Sequence, residues 1–139
     1  MSSGGHPVGA GVSTRTGRGP PGVRFRIGSM TKPVMATAIL RLVHEGRLRP
    51  DDRLSTLLTQ VVDLVEQADE ITLGRLINHT AGIPDYAEVL MQDPVYFQDS
   101  TLYKPADILN TYRKMPNTQE PGEKFSYSNT GYFLLAMIA

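Results

Sequence analysis

The chain has 139 residues, the length of one domain. It balances 14 Lys and Arg against 14 Asp and Glu, and a zero balance argues against work on nucleic acid or an anionic membrane. Without cysteine there is no disulfide, thiolate zinc site or iron–sulfur cluster, and no run reaches the ~20 apolar residues that span a bilayer.

Residues 1–22 are rich in Gly, Ser and Pro and lack the hydrophobic region of a secretory signal. As written, the chain is expected to stay in the cytoplasm, with export of a longer precursor left open. Val8 to Thr16 suits a Gly-rich strand and Gly17 to Gly22 a turn. Val23, Phe25 and Ile27 alternate with Arg24 and Arg26, the period-two pattern of a short half-buried strand. Gly28 permits a sharp bend. A helix is expected from Ser29 or Thr31, with Pro33 in its first turn, where a missing N–H does no harm. Val34, Met35, Ala38, Ile39 and Leu42 form its apolar stripe, and Gly46 closes it. Up to His44 the chain carries six basic residues and no acid. The acidic remainder suggests two faces that attract across one fold rather than a polyanion-binding arm.

Leu54 to Gln67 carries a mixed apolar stripe and reads as helical. Thr72 caps a short helix from Leu73 to His79, closed by Gly82 and Pro84. Asp51-Asp52 reads as a turn or helix-entry pair. Pro105 to Met115 is a further helix and Pro121-Gly122 a turn. Asn129 to Ala139 is a helix that runs to the chain end, with Phe133, Leu134, Leu135, Met137 and Ile138 in the core. Strand signal ends by residue 30, too little for a stable sheet alone. That shortage, with a last helix lacking a polar finish, suggests a piece of a larger fold.

Ser29-Met30-Thr31-Lys32 puts a hydroxyl and an amine on one helix face, a turn apart. A serine is a poor nucleophile until a base takes its proton, and a neutral lysine is such a base. An ordinary lysine has a pKa of about 10.4, and reaching about 7 takes roughly 4.6 kcal/mol of desolvation or like-charge repulsion. Lys32 is therefore expected to be buried or paired with a proton acceptor. Tyr127, in Tyr127-Ser128-Asn129, is the candidate. A phenol and an amine share their protons as a pair, so either Lys32 stays charged beside a Tyr127 phenolate or the reverse holds. The Asn129 amide can hold both Lys32 and a substrate carbonyl, and the helix start offers N–H groups to an oxyanion. About 0.2 chance matches are expected for each of S-x-x-K and Y-x-N at this composition. Spacing alone thus leaves an ordinary alternative, a helix-capping serine and a solvated lysine.

The string Phe25 to Lys32, FRIGSMTK, resembles the nucleophile segment of serine β-lactamase-like hydrolases: class C β-lactamases, D-alanyl-D-alanine carboxypeptidases and related esterases. LVHEGRLRPDDRL (Leu42 to Leu54), ITLGRLINHTAGIPDY (Ile71 to Tyr86) and PGEKFSYSNTGYFLLAMIA (Pro121 to Ala139) are similar to further family stretches. The resemblance implies an α+β, serine β-lactamase/transpeptidase-like fold. This chain would cover mainly its helical subdomain and a short N-terminal strand region. Residues 1–22 would precede a partial domain over 23–139. Ser29 would be the acylated nucleophile, Lys32 its proton partner, Tyr127 the general base or acid, and Asn129 a substrate-orienting group. The Y-x-N motif points to the class C and carboxypeptidase branch, which needs no deacylating glutamate.

The family's third motif, Lys-Thr/Ser-Gly or His-x-Gly, lies on a later strand, and only ten residues follow Asn129. Arg15-Thr16-Gly17 has a similar flavour but precedes the nucleophile and reads better as a turn. The expected function is a serine acyl hydrolase acting through an acyl-enzyme on a β-lactam, a D-Ala-D-Ala peptide or an ester, incomplete in this chain. The alternative is a non-catalytic remnant or binding module of the same fold. The isolated chain is expected to be weakly active or inactive and to self-associate through an exposed apolar face. No metal or organic cofactor is expected. His44 and His79 are not at metal-ligand spacing, and His79 reads as a hydrogen-bonded structural residue. Tyr86, Tyr96 and Phe97 read as packing residues in preference to groove lining.

Overall fold

The computed structural model describes residues 22, 24, 26–92, 104–113 and 115–139. The strand expected over Val8 to Thr16, the Val23 and Phe25 positions, and Tyr96 and Phe97 all lie outside them. Among the described residues the chain is helical, and its one strand-like pairing is an isolated antiparallel bridge between Arg53 and Thr72.

Gly28 bends the chain at φ 55° and opens a single 3₁₀ turn, Gly28–Met30, that continues into α1, Thr31–His44. Ile27, expected to close a strand, has helical angles of φ −83° and ψ −5°. No neighbouring strand among the described residues offers it a ladder to join. Gly46 takes the left-handed conformation (φ 72°) just past the α1 cap, as expected. The expected apolar stripe is only partly used. Ile39 is buried and Met35 packs against the core, but Val34 is 66% exposed. α1 packs against the last helix on the side bearing Lys32, Met35 and Ile39. The opposite side leaves a band of Ile27, Met30 and Val34 uncovered among the described residues.

The helix expected over Leu54 to Gln67 is broken up. α2 is one turn, Leu54–Leu57, followed by a 3₁₀ turn, Thr59–Val61. Leu58 leaves the helical region at ψ 72°, and the following Thr59, Val61 and Val62 hold a helix poorly because they are stiff at χ1. Turns still carry Leu58, Val61, Val65 and Ala68 into the core. Asp52 sits in a turn, accepting from the Arg49 N–H at 2.7 Å. α3, Leu73–Ile77, is capped by Thr72, whose hydroxyl accepts from the Arg75 N–H at 3.3 Å. It ends short of His79. That residue takes the left-handed conformation (φ 60°) while the Thr80 N–H reaches back to the Arg75 carbonyl at 2.9 Å.

α4, Tyr86–Leu90, was not expected. Asp85 caps it by accepting from the Ala87 N–H at 3.0 Å. α5 runs Pro105–Tyr112, shorter than the expected span to Met115. α6 runs Asn129–Ile138 under a Ser128 cap, which accepts from the Gly131 N–H at 3.2 Å. It packs against α3, α1 and α4. Leu134 and Leu135 are fully buried, whereas Phe133, Met137 and Ile138 are only half-buried.

Two distant loops are stitched together beside these helices. The Gly82 carbonyl accepts from both the N–H and the hydroxyl of Thr118, at 3.0 Å each. The Gly122 N–H donates to the Thr80 carbonyl at 2.7 Å, and the Ser126 N–H to the His79 carbonyl at 2.8 Å. Gly82 has φ 75°, and a Cβ there would run into the Gln119 carbonyl oxygen, so the position requires glycine. This seam holds residues 118–128 along residues 79–84 and brings the start of α6 to the start of α1.

Candidate active site

The Gly28–Met30 turn presents Ser29 at the surface, and Lys32 follows one turn later on α1. The seam delivers Tyr127 and Asn129 to the same place. Ser29 Oγ lies 2.6 Å from Tyr127 Oη, and Lys32 Nζ donates to Ser29 Oγ at 3.2 Å. Lys32 Nζ also donates to Asn129 Oδ1 at 2.6 Å. All four residues singled out in the sequence therefore meet. The ordinary alternative does not describe them. The α1 cap position is Met30, with no side-chain cap bond, so Ser29 is not a capping serine. Lys32 is half-buried and hydrogen-bonded rather than solvated.

Three further residues complete the surroundings. Asp85 Oδ2 accepts from Asn129 Nδ2 at 2.7 Å. Tyr132, one turn after Asn129, lies with its ring centre 5.6 Å from Lys32 Nζ and donates its hydroxyl to the Ile77 carbonyl at 2.9 Å. His79 stacks on Tyr127 with ring centres 4.6 Å apart and planes 25° from parallel. Its Nδ1 accepts from the Ser128 N–H at 3.2 Å, which assigns the proton of the neutral ring to Nε2. His79 is thus the structural, hydrogen-bonded residue expected, though it also buttresses the phenol. Two of these residues had a signal in the sequence. Asp85 and Glu88 form the acidic start pattern of a helix, and Tyr132 lies on the helix face of Asn129. Neither signal identifies a contact across the fold.

The electrostatics centre on Tyr127. Burial pushes its phenol up, but hydrogen bonding by Lys32 and Ser29 and the Lys32 charge outweigh this, against a smaller opposing effect from Asp85. The phenol is held below its ordinary 10.0. Tyr132 moves the other way, raised by burial and by Tyr127. His79 is pulled below its ordinary 6.5 by burial and then by Lys32, with Asp85 opposing. A histidine with a depressed pKa stabilises the fold above its ordinary value, and that contribution is lost as the pH falls through the lowered one. The thermal midpoint is therefore expected to fall as solutions are acidified below about 6.5. The fall should be smaller in His79→Asn, because asparagine tolerates the left-handed backbone. Equal falls in both proteins would rule His79 out as a source.

A pocket of about 180 Å³ opens beside Lys32 and Asn129, walled by Met35, Tyr86, Tyr132 and Phe133. Tyr86, read as a packing residue, packs edge-on against Phe133 with ring centres 6.2 Å apart and also lines this pocket. A larger depression of about 630 Å³, between Val62 to Asp69 and Arg113, Met115 and Pro116, shares no residue with the site. Among the described residues no group of three or more His, Asp or Glu is arranged to hold a metal ion. No helix among them is long and apolar enough to cross a membrane.

The Beta-lactamase family model matches residues 3–139. Protein flp of Staphylococcus aureus (strain NCTC 8325 / PS 47) is 32% identical over 119 residues, which is 85% of this chain and 23% of that protein. A D-stereospecific amidohydrolase from Streptomyces sp. superposes with a TM-score of 0.71 at 28% identity, over 82% of this chain and 36% of that one. A penicillin binding protein from Bacillus halodurans superposes with a TM-score of 0.66 at 31% identity, over 91% of this chain and 39% of that one. The chain thus spans well under half the length of each of these relatives.

Proposed function

Because this chain belongs to the Beta-lactamase family, a family of serine hydrolases with a β-lactamase/transpeptidase-like fold, we propose that it carries the nucleophile-bearing part of a serine acyl hydrolase. In this reading residues 23–139 supply mainly the helical subdomain, after an N-terminal segment over 1–22.

The proposed reaction is acyl transfer to Ser29. Its oxygen bonds to the acyl carbon while its proton passes to the Tyr127 phenolate. The ammonium of Lys32 stabilises that phenolate, and the Ser29 N–H faces the developing oxyanion. The proton on Tyr127 then goes to the leaving group as its bond to the acyl carbon breaks. Water gives a proton to Tyr127 as its oxygen bonds to the acyl carbon, the Ser29 ester bond breaks, and that proton returns to Ser29. Asn129 uses one Nδ2 hydrogen on Asp85, which leaves the other for a substrate carbonyl. The observation that carries this reading is the 2.6 Å approach of Tyr127 Oη to Ser29 Oγ, with Lys32 Nζ 3.2 Å from the same oxygen. Candidate acyl donors are a β-lactam, a D-Ala-D-Ala peptide or an ester. The likeness to a D-stereospecific amidohydrolase adds an amide of D configuration. No organic cofactor or metal enters the scheme.

The test is intact mass after exposure to a fluorophosphonate or a penicillin, followed by peptide mapping. One adduct per chain on the Ser29 peptide is expected. A second reading, a non-catalytic binding module, draws on the openness of the site, since Ser29 is exposed and Tyr127 is 44% exposed. Reversible penicillin binding with no adduct under any condition would favour it.

A further inference from the structure

We propose that Asp85 is a positioning residue that sets which way the Asn129 amide faces and thereby anchors Lys32 beside Ser29; this rests on the acyl-transfer reading above. A carboxylate only accepts hydrogen bonds and an ammonium only donates them, whereas an amide does one at each end. Asn129 lies between the two. With Asp85 Oδ2 2.7 Å from its nitrogen, its oxygen must face Lys32 Nζ, 2.6 Å away. A flipped amide would set donor against donor at Lys32 and acceptor against acceptor at Asp85.

Asp85 is itself held firmly. Its other oxygen caps α4 through the Ala87 N–H at 3.0 Å. The residues on either side are tied to the start of α6. The Ser128 hydroxyl donates to the Pro84 carbonyl at 3.3 Å, and the Tyr86 N–H donates to the Thr130 hydroxyl at 2.9 Å. The carboxylate and the amide it orients therefore move as one unit. Among the described residues, Ser29 in the Gly28–Met30 turn, Lys32 on α1, His79 after α3, Asp85 before α4 and Tyr132 on α6 are polar or titratable groups around Tyr127. Asp85 is the anion among them, and it works against formation of the phenolate.

The test compares the full chain with Asp85→Asn. Asparagine caps helices well, so the thermal midpoint is expected to change little. Its amide nitrogen would face that of Asn129, favour the flip, and leave Lys32 without an acceptor. Fluorophosphonate labelling of Ser29 is expected to slow by about tenfold or more. The acid limb of the labelling profile should also move to lower pH, because the opposing charge is gone. Phenolate absorbance, taken as the difference from Tyr127→Phe, should show Tyr127 titrating at lower pH whether or not the chain turns over. Asp85→Ser, another capping residue but too short to reach Asn129, is expected to behave alike. An unchanged rate with an unmoved limb in either folded variant overturns the proposal. If the unaltered chain never labels, the acyl-transfer reading fails on its own. The absorbance titration then decides whether Asp85 acts on the cluster, and an unmoved titration overturns it.

Discussion

Lys32→Met is expected to slow covalent labelling of Ser29 by about 10³-fold or more. Methionine keeps an unbranched apolar stem in a half-buried place, so the loss should be chemical rather than structural. Three things go with the ammonium: the donor to Ser29 Oγ at 3.2 Å, the donor to Asn129 Oδ1 at 2.6 Å, and the cation 4.7 Å from the centre of the Tyr127 ring. At neutral pH the loss is felt most at Tyr127, because Lys32 lowers the phenol by hydrogen bonding and, less, by its charge. Without it Tyr127 titrates higher and less of it is a base. The measurement is the labelling rate across pH, with phenolate absorbance as a second readout. Labelling at the unaltered rate would remove Lys32 from the proposed reaction.

Tyr127→Phe is expected to slow the same step by roughly 10²–10⁴-fold and to erase the acid limb of the profile. Phenylalanine keeps the stack on His79 and loses only the oxygen that lies 2.6 Å from Ser29 Oγ. In the proposed reaction the active form is the phenolate, and the phenol is held below 10.0. The rate should therefore climb as the pH rises through that lowered value and level off above it. The same shift adds to stability only in alkaline solution, above the ordinary 10.0, and is lost as the pH falls through the lowered value. Near neutrality the variant should melt with the unaltered chain. A retained acid limb would assign the base elsewhere.

The parts of this molecule most legible in the sequence are those set by neighbours along the chain. Gly28, Pro33 and Gly46 mark the bend, first turn and end of α1, and Thr72 and Ser128 sit at helix starts where hydroxyls cap well. The candidate quartet of Ser29, Lys32, Tyr127 and Asn129 is legible for a different reason, since two short motifs need only a fold that joins them. What sequence periodicity missed is either too short or too distant. α4 spans five residues and shows no period. The apolar pattern after Leu54 is real, but turns bury it as effectively as a helix would. Asp85 reaches Asn129 across 44 residues, and nothing local to either announces the bond.

The site joins Ser29 to Tyr127 across 98 positions of chain. A half-assembled molecule can already hold the hydroxyl and the amine side by side where the Gly28–Met30 turn runs into α1, yet it lacks the phenol until the loop seam has closed. Reactivity toward an electrophile is then a census of native molecules. In a denaturant series the labelled fraction should track the cooperative loss of tertiary structure rather than the melting of α1 alone.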